Sequence, residues 1–265
     1  MRTYDELIKE HYDAVAAADG ESSASTMADE IIRTKETDAI CELVSLVALE
    51  HARKLSANAG EERNSLAILD VGCGNGFTLQ QLQARFPSHK YVGIEQNASL
   101  RNIAATRANV QAGDIRDLSS ISLDGGSFDI VVCQRVIINI MDTEDQKKAL
   151  SNIIALAKPG AALLFIETFR SGLDQLNAAR NEFGLSPIPP AIHNLPLPDD
   201  FFKSSELVPF DIDSSLLQPN TLSTHFFVTR VLHEIALKAM NAPFVRNSHF
   251  VKFMSAALPG GVGDY

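Results

Sequence analysis

Cysteine is scarce: Cys41, Cys73 and Cys133 are the three in 265 residues. An odd count with no C-x-x-C spacing disfavours both a disulfide framework and a zinc knuckle. The seven histidines are scattered too. His225 and His233 come nearest to a pair, in surroundings that match no metal signature, so no metal is expected. No apolar run approaches the roughly 18 to 20 residues of a membrane span. The opening MRTYDELIKEHY carries both charge signs and lacks the apolar stretch of a secretory signal. Positive charge is also short, 23 Lys and Arg against 33 Asp and Glu, for a net charge of −10. That is the wrong sign for a wide phosphate-gripping face, although it leaves room for a local basic groove. A cytoplasmic chain with no membrane partner and no broad nucleic-acid partner is the expectation.

What remains is enough to fold. A chain of this length with 45% hydrophobic residues can bury a core without metals or disulfide staples. It shows no internal repeat and no low-complexity tract. Residues 1–64 read as a helical arm or cap, with Ile40, Leu43, Val44, Val47 and Leu55 at roughly helical spacing before the polar break SANAGEERN. From Leu66 to Thr168 short apolar strands alternate with amphipathic helices. The strand candidates are LAILDV, KYVGIE, NVQAG, FDIVVC and AALLFIE. Such alternation means right-handed crossovers and a mostly parallel sheet covered on both faces.

The stretch from Phe169 to about Pro198 holds five of the eleven prolines and reads as a long irregular excursion, suited to a substrate lid or wall. Beyond it LVPFDI and THFFVTRVL look like two further strands, an antiparallel addition to the sheet edge. The expected fold class is therefore α/β, a doubly wound, mostly parallel seven-stranded sheet of Rossmann-like type with the last strand antiparallel and helices on both faces. Residues 65–265 form that domain, with a substrate-side insertion at about 169–200.

The most informative stretch is ILDVGCGNGFTL. A strand runs into Asp70, Gly72, Gly74 and Gly76 make a tight bend, and Phe77 opens a helix. Glycine permits close backbone approach and positive φ, while a helix start presents unpaired N–H groups, so a nucleotide-sized ligand fits at this strand's carboxyl end. The spacing is G-x-G-x-G, where a dinucleotide fingerprint reads G-x-G-x-x-G. Glu95 ends the second strand, where a carboxylate can accept from both hydroxyls of a ribose. Asp114 follows the third in AGDIRD and is of a type to receive an adenine amino group.

In these motifs the chain resembles the class I S-adenosylmethionine-dependent methyltransferases, over about residues 66–168. The likeness is carried by ILDVGCGNG, VGIEQN, GDIRDL, FDIVVCQRVIINI and LAKPGAALLFIE. It implies S-adenosyl-L-methionine as cofactor, with the glycine loop around the methionine part, Glu95 on the ribose and Asp114 on adenine. It also implies that Gln96 and Ile115 flank ribose and adenine and that Gln134 lies beside the methionine moiety. Tyr12, in an N-terminal arm that closes over the cofactor in many relatives, and Arg33, as a partner for the methionine carboxylate, complete the expected cofactor set. LVPFDI and THFFVTRVL resemble the family's final antiparallel pair.

Methyl transfer from a sulfonium depends chiefly on alignment in a dry pocket, with a general base only where the nucleophile is a hydroxyl. Arg135 and Asn139, just past strand four, and His193, in the proline-rich excursion beside Asn194, are the candidates for catalytic or acceptor contacts. Strand four ends in CQRVIIN and lacks the Asn/Asp-Pro-Pro-aromatic motif of many base-amino methyltransferases. With the acidic balance, that favours a small-molecule acceptor methylated on O or N. Two alternatives stand beside it: a catalytically silent methyltransferase-fold binding subunit, and an NAD(P)-dependent oxidoreductase, which the glycine spacing argues against. The acceptor's identity and the oligomeric state are not legible.

Overall fold

The computed structural model describes residues 3–20, 22, 27–57, 65–203, 206–209 and 221–258. The chain divides into two compact units. The first comprises Met1–Ala28, Thr37–Glu167 and His193–Leu195; the second comprises Asp29–Glu36, Thr168–Ile192 and Pro196–Tyr265.

Five strands make the sheet of the first unit: β1 (Ala67–Val71), β2 (Lys90–Glu95), β3 (Val110–Ala112), β4 (Phe128–Gln134) and β5 (Ala157–Ile166). Their order is β3-β2-β1-β4-β5 and every pair is parallel. Chain order runs outward from β1 in both directions, so the sheet reverses between β1 and β4. In open parallel sheets ligands bind outside the carboxyl ends of the strands at such a switch point.

The strands read as near-continuous apolar runs because both faces are covered. On one face Ile68, Ile130, Val132 and Leu164 pack with Leu79 and Leu82 of α3 (Phe77–Arg85), Ala104 of α4 (Ala98–Ala104) and Ile40 and Val44 of α2 (Glu30–Ala57). The other face takes Leu69, Val131 and Cys133, each at most 1% exposed. Right-handed crossover puts α5 (Thr143–Leu156), between β4 and β5, over that second face. Burying each of these large side chains stabilises the fold by about 1.5–3 kcal/mol, which is why the sheet needs no covalent staple.

Local signals set the helix starts. Helix α1 (Tyr4–Asp19) opens on a capping box: the Thr3 hydroxyl accepts from the Glu6 amide and the Glu6 carboxylate accepts from the Thr3 amide. The Asp142 carboxylate accepts from the amides of Glu144 and Asp145 at the head of α5.

Two expectations about the distal chain are corrected in the second unit. The segment THFFVTRVL is helical, running from α7 (Thr221–Phe227) through a π-helical turn (Val228–Leu232) into α8 (His233–Met240). Its β-branched and aromatic residues suit a strand, but the buried positions are Thr224, His225, Val228 and Val231, and that spacing is helical. Of LVPFDI, residues 207–209 carry no regular structure and residues 210–212 lie outside the described residues. Among the described residues the sheet has five strands, all parallel, in place of seven with an antiparallel last one. The excursion after β5 also begins as a regular helix, α6 (Arg170–Glu182), and only its proline-rich remainder is irregular. The last helix described is α9 (His249–Ala257).

Within the second unit Asp29 is the anchor of a polar cluster. Its carboxylate accepts from the amides of Ile31 and Ile32 at the start of α2, from the Asn247 side chain and from His225 Nε2 at 3.2 Å. The same imidazole receives the Ser255 hydroxyl on Nδ1 at 2.8 Å. Burial opposes ionisation of Asp29, but the His225 hydrogen bond and the helix-start amides win and hold the carboxyl at about 2.

Candidate active site

The carboxyl ends of β1, β2 and β4 in the first unit gather the polar groups. Gly72, Gly74 and Gly76 all have positive φ, at 65°, 58° and 78°, a region in which side chains are strained. A Cβ on Gly72 would also stand 2.5 Å from Val136 Cγ2, so the bend is held against the β4 exit and admits no side chain there. The Cys73 amide donates to the Ile94 carbonyl at 3.0 Å, tying the bend to β2 as well. Asp70, next to last in β1, is 2% exposed.

Glu95 and the bend are joined directly. Its carboxylate accepts from the Gly74 amide at 2.8 Å and from the Asn97 amide at 2.7 Å. Burial raises its pKa, and these two amides pull it back down. Gln96 donates to Asp114 at 3.2 Å, so the acids predicted after β2 and β3 are one side chain apart. Asp114 is also gripped by the Arg116 guanidinium, with contacts of 2.7 to 3.1 Å. Ile115 is buried, and its carbonyl accepts from Asn152 of α5. Gln134 accepts from the Thr78 hydroxyl at 3.0 Å; Thr78, at the head of α3, escaped the sequence reading.

Helix α1 closes over this region by polar tethers. Arg116 reaches Asp5 at 2.9 Å, and Asn97 and Ser99 both donate to Asp13. Asn75 of the bend donates to the carbonyls of Gly20 and Ser22. Asn139 donates to the Tyr12 hydroxyl at 2.8 Å and to the Arg135 carbonyl at 2.6 Å. Burial, with the charge of Glu95 behind it, pushes the Tyr12 phenol up to about 12, so it is neutral throughout the physiological range.

The β4 exit is unusual. Arg135 has φ 57°, rare for a residue with a side chain. The Ile137–Asn139 turn that follows has no cap from its own N-cap residue, Val136. Its amides are taken by Glu167, the residue after β5: Val136 and Ile137 donate to Oε1 at 3.0 Å each and Ile138 to Oε2 at 3.2 Å. The Glu167 residue is partly exposed, but its carboxylate end lies inside, and burial pushes it up to about 7 in spite of those donors. Sequence reasoning missed Glu167. The available signal was a lone carboxylate ending the otherwise apolar strand AALLFIE.

His193 joins the same neighbourhood. Its ring stacks on His11 with centroids 4.3 Å apart and meets Tyr12 edge-on at 6.3 Å. Burial, reinforced by His11, lowers its pKa below the ordinary histidine value. The segment is braced by the Leu195 amide on the Ile138 carbonyl at 2.7 Å, and by Gln146, which donates to the carbonyls of Ile137 and Leu195. Asn194 Oδ1 is buried without a hydrogen-bond partner among the described residues.

The structure thus joins Gly74 to Glu95, Gln96 to Asp114 and Asn139 to Tyr12, and it sets His193 beside Tyr12. Arg33 is buried in the second unit, in the first turns of α2. Among the described residues no cluster of three or more His, Cys, Asp or Glu side chains could hold a metal ion, and no helix is long and apolar enough to cross a membrane.

Residues 68–160 match the model of a family described as a methyltransferase domain. A ubiquinone biosynthesis O-methyltransferase of Coxiella burnetii is 28% identical over 127 residues, 45% of this chain and 52% of that protein. One from Ralstonia nicotianae is 25% identical over 193 residues, 66% of this chain and 77% of that protein. An uncharacterized methyltransferase of Mycobacterium bovis is 31% identical over 116 residues, 42% of this chain and 57% of that protein. The chain spans about half the length of the Coxiella relative. Over residues 68–160 the chain is thus similar to methyltransferase domains.

Proposed function

We propose that the protein transfers a methyl group from S-adenosyl-L-methionine to an oxygen or nitrogen nucleophile of a small-molecule acceptor. The observation that carries this is the bond between the Gly74 amide and the buried Glu95 carboxylate, which puts an anionic acceptor of hydrogen bonds beside the glycine bend at the sheet's switch point. Glu95 would hold the ribose hydroxyls, and Gly72, Gly74 and Gly76 would let the backbone approach the methionine part. Gln96, Asp114 and Ile115 would line the adenine end, where the adenine amino group would share Asp114 with Arg116. Gln134 and Tyr12 would close the methionine end. Arg33 is kept here only on the resemblance.

When bound, the cofactor supplies an electrophilic methyl on a sulfonium. The chain's own task is alignment and exclusion of water. Tyr12, neutral and hydrogen-bonded to Asn139, serves as a wall and not as a base. His193, whose pKa is lowered, is available as a neutral base for an acceptor hydroxyl, and Arg135 suits an acceptor carboxylate or phosphate. Relatives named for ubiquinone biosynthesis O-methylation favour oxygen over nitrogen.

The test is calorimetry with S-adenosylhomocysteine, followed by transfer of labelled methyl from the cofactor to a panel of small phenols, hydroxy acids and amines. Micromolar binding with transfer to a panel member is expected. Absence of binding would remove the assignment, and binding without transfer to any acceptor would move it to the silent-subunit alternative.

A further inference from the structure

The Ile137–Asn139 turn carries Asn139, follows the left-handed Arg135, and leads away from the strand end where the cofactor cleft lies. A short helical turn leaves its first amides without partners, and a side chain at or near its own start normally takes them. Val136 cannot do so. The amides go instead to a carboxylate from a different strand, 29 to 31 residues away in sequence.

We propose that Glu167 is a positioning residue for the cofactor cleft: by capping residues 136–138 it fixes where Arg135 and Asn139 stand and, through Asn139, holds Tyr12 of α1 in place. The proposal rests on the methyltransferase reading of that cleft. Three details support it. The two oxygens are divided between the amides, Oε1 taking Val136 and Ile137 and Oε2 taking Ile138, so both orient the turn. The Cys133 thiol, next to last in β4, donates to Oε1 at 3.6 Å and helps to anchor the carboxylate. At the far side, Asn139 uses its single amide nitrogen both to close the turn on the Arg135 carbonyl and to reach Tyr12, so displacement of the turn is passed to α1. Glu167 acts through the backbone amides it accepts from.

Glu167→Gln and Glu167→Ala test this. In glutamine one of the two acceptor oxygens becomes a donor facing an amide, while shape and packing are kept. Exchange of the Val136, Ile137 and Ile138 amides should accelerate in ligand-free Glu167→Gln while amides of β1 and β2 are unchanged. S-adenosylhomocysteine affinity should fall by about tenfold, the equivalent of one lost charge-assisted hydrogen-bond contribution. Asn139→Ala should weaken binding similarly, and the double variant should be little worse than either single one, because both act through the same turn. If Glu167→Ala does not fold, Glu167→Gln decides. Wild-type affinity and wild-type amide protection in Glu167→Gln would overturn the proposal, as would losses that simply multiply in the double variant. Failure of the wild-type protein to bind S-adenosylhomocysteine would instead overturn the reading of the cleft, and this inference with it.

Discussion

The Asn139 side chain donates to the Tyr12 hydroxyl at 2.8 Å, joining residues 127 positions apart and tying the first helix to the turn after β4. Tyr12→Phe removes the acceptor while keeping the ring. S-adenosylhomocysteine affinity should drop by about 1 kcal/mol, the net worth of one such bond. Since the phenol is held at about 12 by burial, neither protein should show a tyrosine inflection in binding between pH 6 and 9. Such an inflection in the wild type, absent from Tyr12→Phe, would contradict the neutral-wall role.

Glu95→Ala should weaken cofactor binding by on the order of 2–3 kcal/mol, because charge-assisted hydrogen bonds to two hydroxyls are lost. Calorimetry with S-adenosylhomocysteine measures it directly. Unchanged affinity would take the ribose away from Glu95.

Gly72→Ala faces two penalties, a φ of 65° and a Cβ that would lie 2.5 Å from Val136 Cγ2. A loss of about 1–3 kcal/mol in stability is expected. Adding Val136→Ala removes the colliding methyl, so the double variant should recover part of the loss; thermal unfolding reads this, and no recovery would locate the whole cost in the backbone.

Asp29 sets the acid limit of the second unit. Its folded value is held at about 2, below the usual 3.8. A depressed carboxyl stabilises the fold above the unfolded value and loses that contribution as pH falls through the folded one. The difference is worth about 2 kcal/mol at neutral pH. Asp29→Asn should therefore be less stable than the wild type at pH 6 by roughly that amount, with the gap closing toward pH 2. A gap independent of pH would mean that the His225 bond contributes nothing through charge.

Sheet and glycine bend were legible because their signals are local. Lys90–Glu95 is a strand as KYVGIE predicts, and a glycine run between Asp70 and Phe77 can do little except turn. The distal chain was harder. In THFFVTRVL, β-forming side chains and helical burial spacing point in opposite directions, and tertiary packing follows the spacing. The roles of Glu167 and Thr78 were hidden for a different reason: each acts on a partner in another element, Glu167 on the turn after β4 and Thr78 on Gln134. No spacing rule encodes such pairs. His193 was singled out by its proline-rich context, yet its stacking on His11 needed the fold to appear.

All three native thiols lie buried in the first unit. Burial raises the pKa of Cys41, and that of Cys133 well above the ordinary thiol value. Alkylating reagents need an accessible thiolate, so the folded protein should be silent to them. The chain consequently carries its own opening sensor: modification of Cys133 would time the breathing of the strand next to the glycine bend, and a single cysteine placed on the surface could be dye-labelled without first removing the natural three.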